Sequence, residues 1–203
     1  KMKALFSVLF ACFVFSPGTV GASEIISCPA LLVGQKFRYQ GVDNGEPRGR
    51  TRTVHGVNSE KKEVTWHDGS SRTIVTDLVG NEIEPSGKDY ELPDCPFKLG
   101  DELKGIKKQF VGSSGSNLKG EISMKVAQSF TDITVPAGTF KVVRIDSQFS
   151  YTSEGNTRGT IEERRRTSYY SPDLGLVVKV ETEIFRNGTR RRHSLLELSE
   201  VSK

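Results

Sequence analysis

The chain has 203 residues, with 29 Lys and Arg against 25 Asp and Glu, 20 glycines and 8% aromatic residues. That length can bury one ordinary core, and so even a charge balance is not the footprint of a nucleic-acid binder. Abundant glycine and short, scattered apolar runs favour many strands joined by tight turns over long helices.

Lys1-Met2-Lys3 precedes an apolar run from Ala4 to Phe15, broken at Ser16-Pro17-Gly18, and Val20-Gly21-Ala22 supplies the small residues a signal peptidase reads. Residues 1–22 therefore read as a secretory signal cleaved after Ala22, which places the mature chain in the periplasm or outside the cell. The apolar run is too short for a membrane anchor, which needs about 20 residues. Lipidation at Cys12 is the alternative, disfavoured by bulky Phe10 and by the apolar residues that continue past it. No transmembrane segment is expected in the mature chain.

Export leaves Cys28 and Cys95, and two cysteines in an exported chain most often pair. The alternative is two buried thiols. A first strand enters through Gly34 into Phe37 and Tyr39. Cys28-Pro29 followed by Leu32 to Arg38 resembles Cys95-Pro96 followed by Lys98 to Lys104, which suggests halves at 28–94 and 95–203 within one all-β domain, 23–203. Coincidence in a glycine-rich β protein is the competing account.

Gly41 to Arg50 reads as a polar loop, and Arg50 to Val57 as a strand. Val64 to His67 turns through Asp68-Gly69 into Arg72 to Leu78 as a hairpin. Asn81 to Pro96, broken by four prolines and glycines, is a long connection. Glu121 to Phe130 and Lys141 to Tyr151 alternate apolar and polar residues around the turn Val135-Pro136-Ala137-Gly138. Thr157 to Tyr170, Leu176 to Phe185 and Thr189 to Val201 form a meander, with Asn187-Gly188 as a two-residue hairpin turn. The fold class is mainly β: a curved antiparallel sheet or half-barrel with one wet face and few short helices.

Val135 to Phe140, Tyr169 to Lys179 and the Leu-Val-Gly-Gln-Lys-Phe entry at 32–37 resemble exported bacterial domains of unknown function, the TapB and DUF3108-like families. The resemblance implies a curved antiparallel sheet similar in outline to half-barrel lipoprotein carriers of the envelope. It carries no catalytic residue across. The chain departs from the pattern where an aromatic, often Trp, follows the entry glycine: Phe37 and Leu103 stand there.

His55, His67 and His193 lack HxH, HExxH or CxxC company, so no metal is expected. Gly112 to Ser116 misses the spacing of a nucleophile elbow, and no strand–glycine–helix unit offers a phosphate loop, so no cofactor is expected either. Glu162, Glu163, Glu181 and Glu183 alternate with bases, which favours cross-strand ion pairs over glycosidase chemistry.

Nine arginines fall in three runs: Arg48, Arg50 and Arg52, then Arg164 to Arg166, then Arg190 to Arg192. Arg165, Arg190 and Arg192 are the candidate anion-binding residues, with ion pairing to the four glutamates as the ordinary alternative. Ile122, Met124, Val126, Val143, Ile145 and Phe149 form a candidate apolar face, either an open groove or closed core. These features point to a non-enzymatic binding protein for a lipid or anionic glycan. The alternative is an envelope-assembly factor that offers an exposed sheet edge such as Thr189 to Val201 to a protein partner. A hydrolase of envelope polymers ranks last.

Overall fold

Alternating side chains and turn-forming pairs account for most of the backbone. In the computed structural model, residues 24–69, 72–84, 87–88, 91–111, 117–153 and 161–203 are described. The expected signal at 1–22, Cys12 and the serine-rich tip at 112–116 lie outside them. Fourteen strands follow in order: β1 Ile25–Ile26, β2 Lys36–Asp43, β3 Glu46–Asn58, β4 Glu63–His67, β5 Thr73–Asp77, β6 Ile83–Glu84 and β7 Gly87–Lys88. Then come β8 Phe97–Lys98, β9 Glu102–Val111, β10 Asn117–Val135, β11 Gly138–Ser153, β12 Ile161–Ser171, β13 Leu176–Arg186 and β14 Thr189–Ser202. No helix occurs among the described residues, so the few short helices expected are not found there. None is long and apolar enough to cross a membrane.

Ten strands make one antiparallel sheet in the order β5-β4-β3-β2-β14-β13-β12-β11-β10-β9, and it does not close into a barrel. Two meanders, β2 to β5 and β9 to β14, are joined where β14 pairs with β2. Asn187-Gly188 turns β13 into β14 with both φ values positive, as the sequence suggests. Gly41 to Arg50, expected as a loop, is instead a second such hairpin, turned at Asn44-Gly45. Its flanks are polar on both faces and give no alternation to read.

The expected internal repeat has a local structural counterpart. The Gln35 amide donates to the Leu32 carbonyl at 3.0 Å and the Asp101 amide to the Lys98 carbonyl at 3.2 Å, closing two alike turns. In each, a backbone amide three residues earlier donates to the polar side chain: Leu32 to Gln35 and Lys98 to Asp101, both at 2.8 Å. Each turn then exchanges bonds with the second strand of its hairpin, Gly34 and Gln35 with Val54, Gly100 and Asp101 with Ala127 and Val126.

Val142 and Val143 are both fully buried. Adjacent strand residues point to opposite faces, so this part of the sheet is covered on both sides and the single wet face expected does not hold there. One cover is the tip of the β10–β11 hairpin, which bends over until the Ala137 amide donates to the Leu198 carbonyl at 3.0 Å. Val135 and Val142 thereby join Phe37, Val54, Trp66 and Leu198 in a first core. The other cover is the connection from Val79 to Phe97, tied to the start of the chain by the Cys28–Cys95 disulfide. Beneath it Ile26, Val79, Leu92 and Phe97 pack on Val126, Val143, Ile145 and Tyr170 as a second core.

Candidate anion-binding pocket

On β3, Arg48, Arg50 and Arg52 alternate onto one face, opposite Gly41, Tyr39 and Phe37 of β2. Val54 continues that face into the first core, so the arginines enter the protein by degrees. Arg48 is exposed and pairs with Asp43. Arg50 and Arg52 are half-buried, and the Arg52 guanidinium lies 5.8 Å from the centre of the Trp66 ring. Trp66 is held in turn by donating to the Thr76 hydroxyl at 2.9 Å and by an edge contact with Phe37.

A roof covers the two inner arginines. Asp77 Oδ1 accepts from the amides of Val79, Gly80 and Asn81 at 3.1, 2.9 and 2.8 Å, which fixes the turn after β5. Asn81, almost fully buried, donates to the Leu92 carbonyl at 3.0 Å and accepts from the Glu91 and Leu92 amides at 2.8 and 2.7 Å. Its two-sided amide staples the outgoing and returning arms of the connection together. Glu91 then grips the sheet, pairing with Arg164 at 3.0 Å and with Arg166.

Between roof and sheet lies a cavity of about 140 Å3. Its floor is Tyr39, Val177, Val180 and Leu196; Arg50, Arg52 and Arg166 form a wall; Gly80, Glu82 and Glu91 form the rim. Tyr39 donates its hydroxyl to the Val177 carbonyl at 2.9 Å, and burial pushes the phenol up to about 12. Glu82 is paired with Arg72 at 3.0 Å. Arg50 and Arg52 make no ion pair among the described residues, and Arg52 Nε is buried with no hydrogen-bond partner there. Burial, and then the neighbouring Arg50 charge, lower the Arg52 guanidinium to about 10; burial lowers Arg50 as well. The pocket thus presents two guanidiniums that form no ion pair among the described residues, with Glu82 and Asp68 acting on them only at longer range.

Of the arginines singled out from sequence, Arg165 and Arg190 share a face around Glu183 and Phe185, and Arg192 lies on the other. Arg165 pairs with Glu163, Arg190 with Glu183 at 3.0 Å, and Arg192 binds Asp43 through Nε at 2.7 Å and through Nη2. Arg165 stands opposite Gln148 and Glu183, whereas Arg192 stands opposite Ile184, in register with Arg164, and so projects from the other face. Arg165 and Arg190 thus have glutamate partners, whereas Arg192 has an aspartate. Arg50 and Arg52 were readable as part of the first run. Their shared parity with buried Val54 is the signal that marks them as inward-facing.

The candidate apolar face is core rather than an open groove. Ile122, Met124, Val126, Val143 and Ile145 are at most 3% exposed, because the Val79 to Phe97 connection lies over them. Phe149 is half-buried and stacks on Tyr151 at 5.2 Å. Thr189 to Val201 is not an edge: β14 pairs on both sides, with β13 and β2. The edges are β5 and β9.

The remaining groups of chemical interest are accounted for. The His55 and His67 rings meet at a tilt with centres 4.3 Å apart, and His193 meets Glu181 at 2.9 Å. Among the described residues no three His, Cys, Asp or Glu side chains gather as metal ligands. An open groove of about 550 Å3 on the opposite face carries Lys104, Lys125, Arg144 and Arg165. Glu102 and Asp146 in that groove pair with Lys104 and Arg144, each at 3.0 Å, so most of its charge is internally spent.

No protein-family model matches the chain, and no curated relative does. The resemblance to the TapB and DUF3108-like families therefore has no family match behind it. Three solved structures are similar. One, from Bacteroides fragilis NCTC 9343, is described as exported with a YmcC-like fold; it is 13% identical, covers 90% of this chain and 100% of its own, and gives a TM-score of 0.44. The lipoprotein YmcC of Escherichia coli K12 is 8% identical over 82% of this chain and 85% of its own, with a TM-score of 0.46. A protein from Parabacteroides distasonis ATCC 8503, described as a lipoprotein, is 15% identical over 84% and 96%, with a TM-score of 0.43.

Proposed function

We propose that this chain is an exported, non-enzymatic binding protein that holds an anionic or amphipathic component of the bacterial envelope. The basic start and apolar run of residues 1–22, together with the disulfide, support export. The observation that carries the binding reading is the pair Arg50 and Arg52, half-buried under a roof and without an ion pair among the described residues. Burying a charge without a partner is costly, and a ligand anion removes that cost when it binds.

Native mass spectrometry of protein purified from its own host tests this. The expected result is a small anionic adduct that disappears in the Arg50→Gln, Arg52→Gln double variant. Bare protein in both preparations, or a stoichiometric second protein in place of the adduct, would sink the reading. The second of those outcomes would instead favour a partner strand added at β5 or β9.

A further inference from the structure

We propose that the group bound by Arg50 and Arg52 is a phosphate, a reading that rests on the binding function above and narrows its ligand. The two residues stand two positions apart on one strand face, so their Cβ atoms are separated by about 7 Å along β3. Guanidinium groups at that spacing reach one tetrahedral anion from two sides. A single carboxylate can bridge two such guanidiniums, as Glu91 does for Arg164 and Arg166, but it brings one negative charge to two cations.

Charge points the same way. Glu82 is occupied by Arg72, and Glu91 by Arg164 and Arg166, so among the described residues Arg50 and Arg52 have no ion pair and feel Glu82 and Asp68 only at longer range. A phosphomonoester carries about −1.5 to −2 at neutral pH and neutralises both. The unmet donor is Arg52 Nε, part of the side-on edge through which arginine grips two oxygens at once. Size sets a further limit. The cavity, about 140 Å3 and partly open to solvent, suits a head group whose remaining bulk stays outside. The apolar floor of Val177, Val180 and Leu196 would lie against the carbon side of a phosphoester.

Calorimetric titration of the disulfide-intact protein at low salt tests the assignment, with three probes: inorganic phosphate, succinate, and vesicles of phosphatidylcholine with phosphatidic acid. Saturable one-to-one phosphate binding is expected, weakened at least tenfold in Arg50→Gln and in Arg52→Gln. Arg52→Lys keeps the charge without the fork and is expected to weaken binding at an unchanged melting temperature, so a folding defect cannot account for the loss. Vesicle binding that phosphate competes away would identify a lipid head group as the source. Phosphate binding without vesicle binding would identify a soluble phosphate or phosphoester. Phosphate affinity unchanged in Arg52→Gln would overturn the proposal. Arginine-dependent succinate binding with no response to phosphate would overturn it while leaving the anion-binding function standing, and silence from all three probes would remove both.

Discussion

Gly34 and Gly100 occupy the same position in two copies of one turn, with φ of +90° and +82°. Each is followed by a strand and is anchored to the neighbouring strand through its amide, to Val54 at 2.8 Å and to Ala127 at 3.0 Å. A Cβ at Gly34 would meet nothing within 4 Å, and one at Gly100 would make only an ordinary 3.7 Å contact with Gln128. Substitution therefore probes backbone conformation alone. Gly34→Ala and Gly100→Ala are each expected to cost about 1 kcal/mol, with Asn milder at both sites. Urea denaturation checks this, and two very unequal costs would show that the turns are not equivalent.

The turns and the alternation of this fold were legible because they are local. Asn187-Gly188, the bend at Pro136 to Gly138 and the pairing of Cys28 with Cys95 needed only residue types and compartment. What escaped was set by distant chain. The place of β14 at the centre of the sheet depends on its pairing with β2, encoded about 150 residues earlier. Met124, Val126 and Val143 looked equally suited to a groove or a core, and only the packing of Val79, Leu92 and Phe97 over them decides between the two. The Val79 to Phe97 connection also turns two of nine arginines into a pocket, while the three chosen from sequence are paired with acids, Arg165 along its own strand and Arg190 and Arg192 across strands.

The Cys28–Cys95 bond closes a loop with a sequence separation of 67 and holds down the roof of both the second core and the pocket. By the chain-entropy estimate it contributes about 4 kcal/mol. The Cys28→Ser, Cys95→Ser variant should lose most of that in chemical denaturation and should bind anions more weakly than the wild type. Denaturation midpoints that are the same with and without reductant would contradict a stabilising crosslink.

Asp43 draws three strands together, accepting from Arg192 on β14 and Arg48 on β3. The Arg192 hydrogen bond, first, and then Arg48 hold its carboxyl below the ordinary 3.8. A depressed folded value means that the contact contributes fully above the unfolded value and is lost as pH falls through the folded one. The stability gap between wild type and Asp43→Asn should therefore be constant near neutrality and should close in acid below about 3.8. Midpoints at about pH 6 and about pH 3 decide it; a gap that widens in acid would reverse the sign of the argument.

Tyr170 Oη and Arg52 Nε are both buried without a hydrogen-bond partner among the described residues, yet their surroundings assign them different meanings. The Tyr170 ring packs edge-on against Phe97 in the second core, and burial followed by the nearby Asp77 charge raises its phenol well above the ordinary range. With no hydrogen-bond partner for the hydroxyl among the described residues, Tyr170→Phe should stabilise the protein by about 1 kcal/mol and leave anion binding unchanged. Arg52 instead faces a cavity that a ligand can fill. Arg52→Met keeps most of the side-chain volume on Trp66 while removing the unpaired charge, and should also stabilise the empty protein by about 1 kcal/mol. It should abolish anion binding, because stability lost in the unliganded state is what a functional charge costs. Thermal melts of the two variants with and without phosphate separate the cases: phosphate should raise the melting temperature of Tyr170→Phe as it does the wild type, and should leave that of Arg52→Met where it is. A phosphate-dependent shift that persists in Arg52→Met would place the anion elsewhere on the sheet.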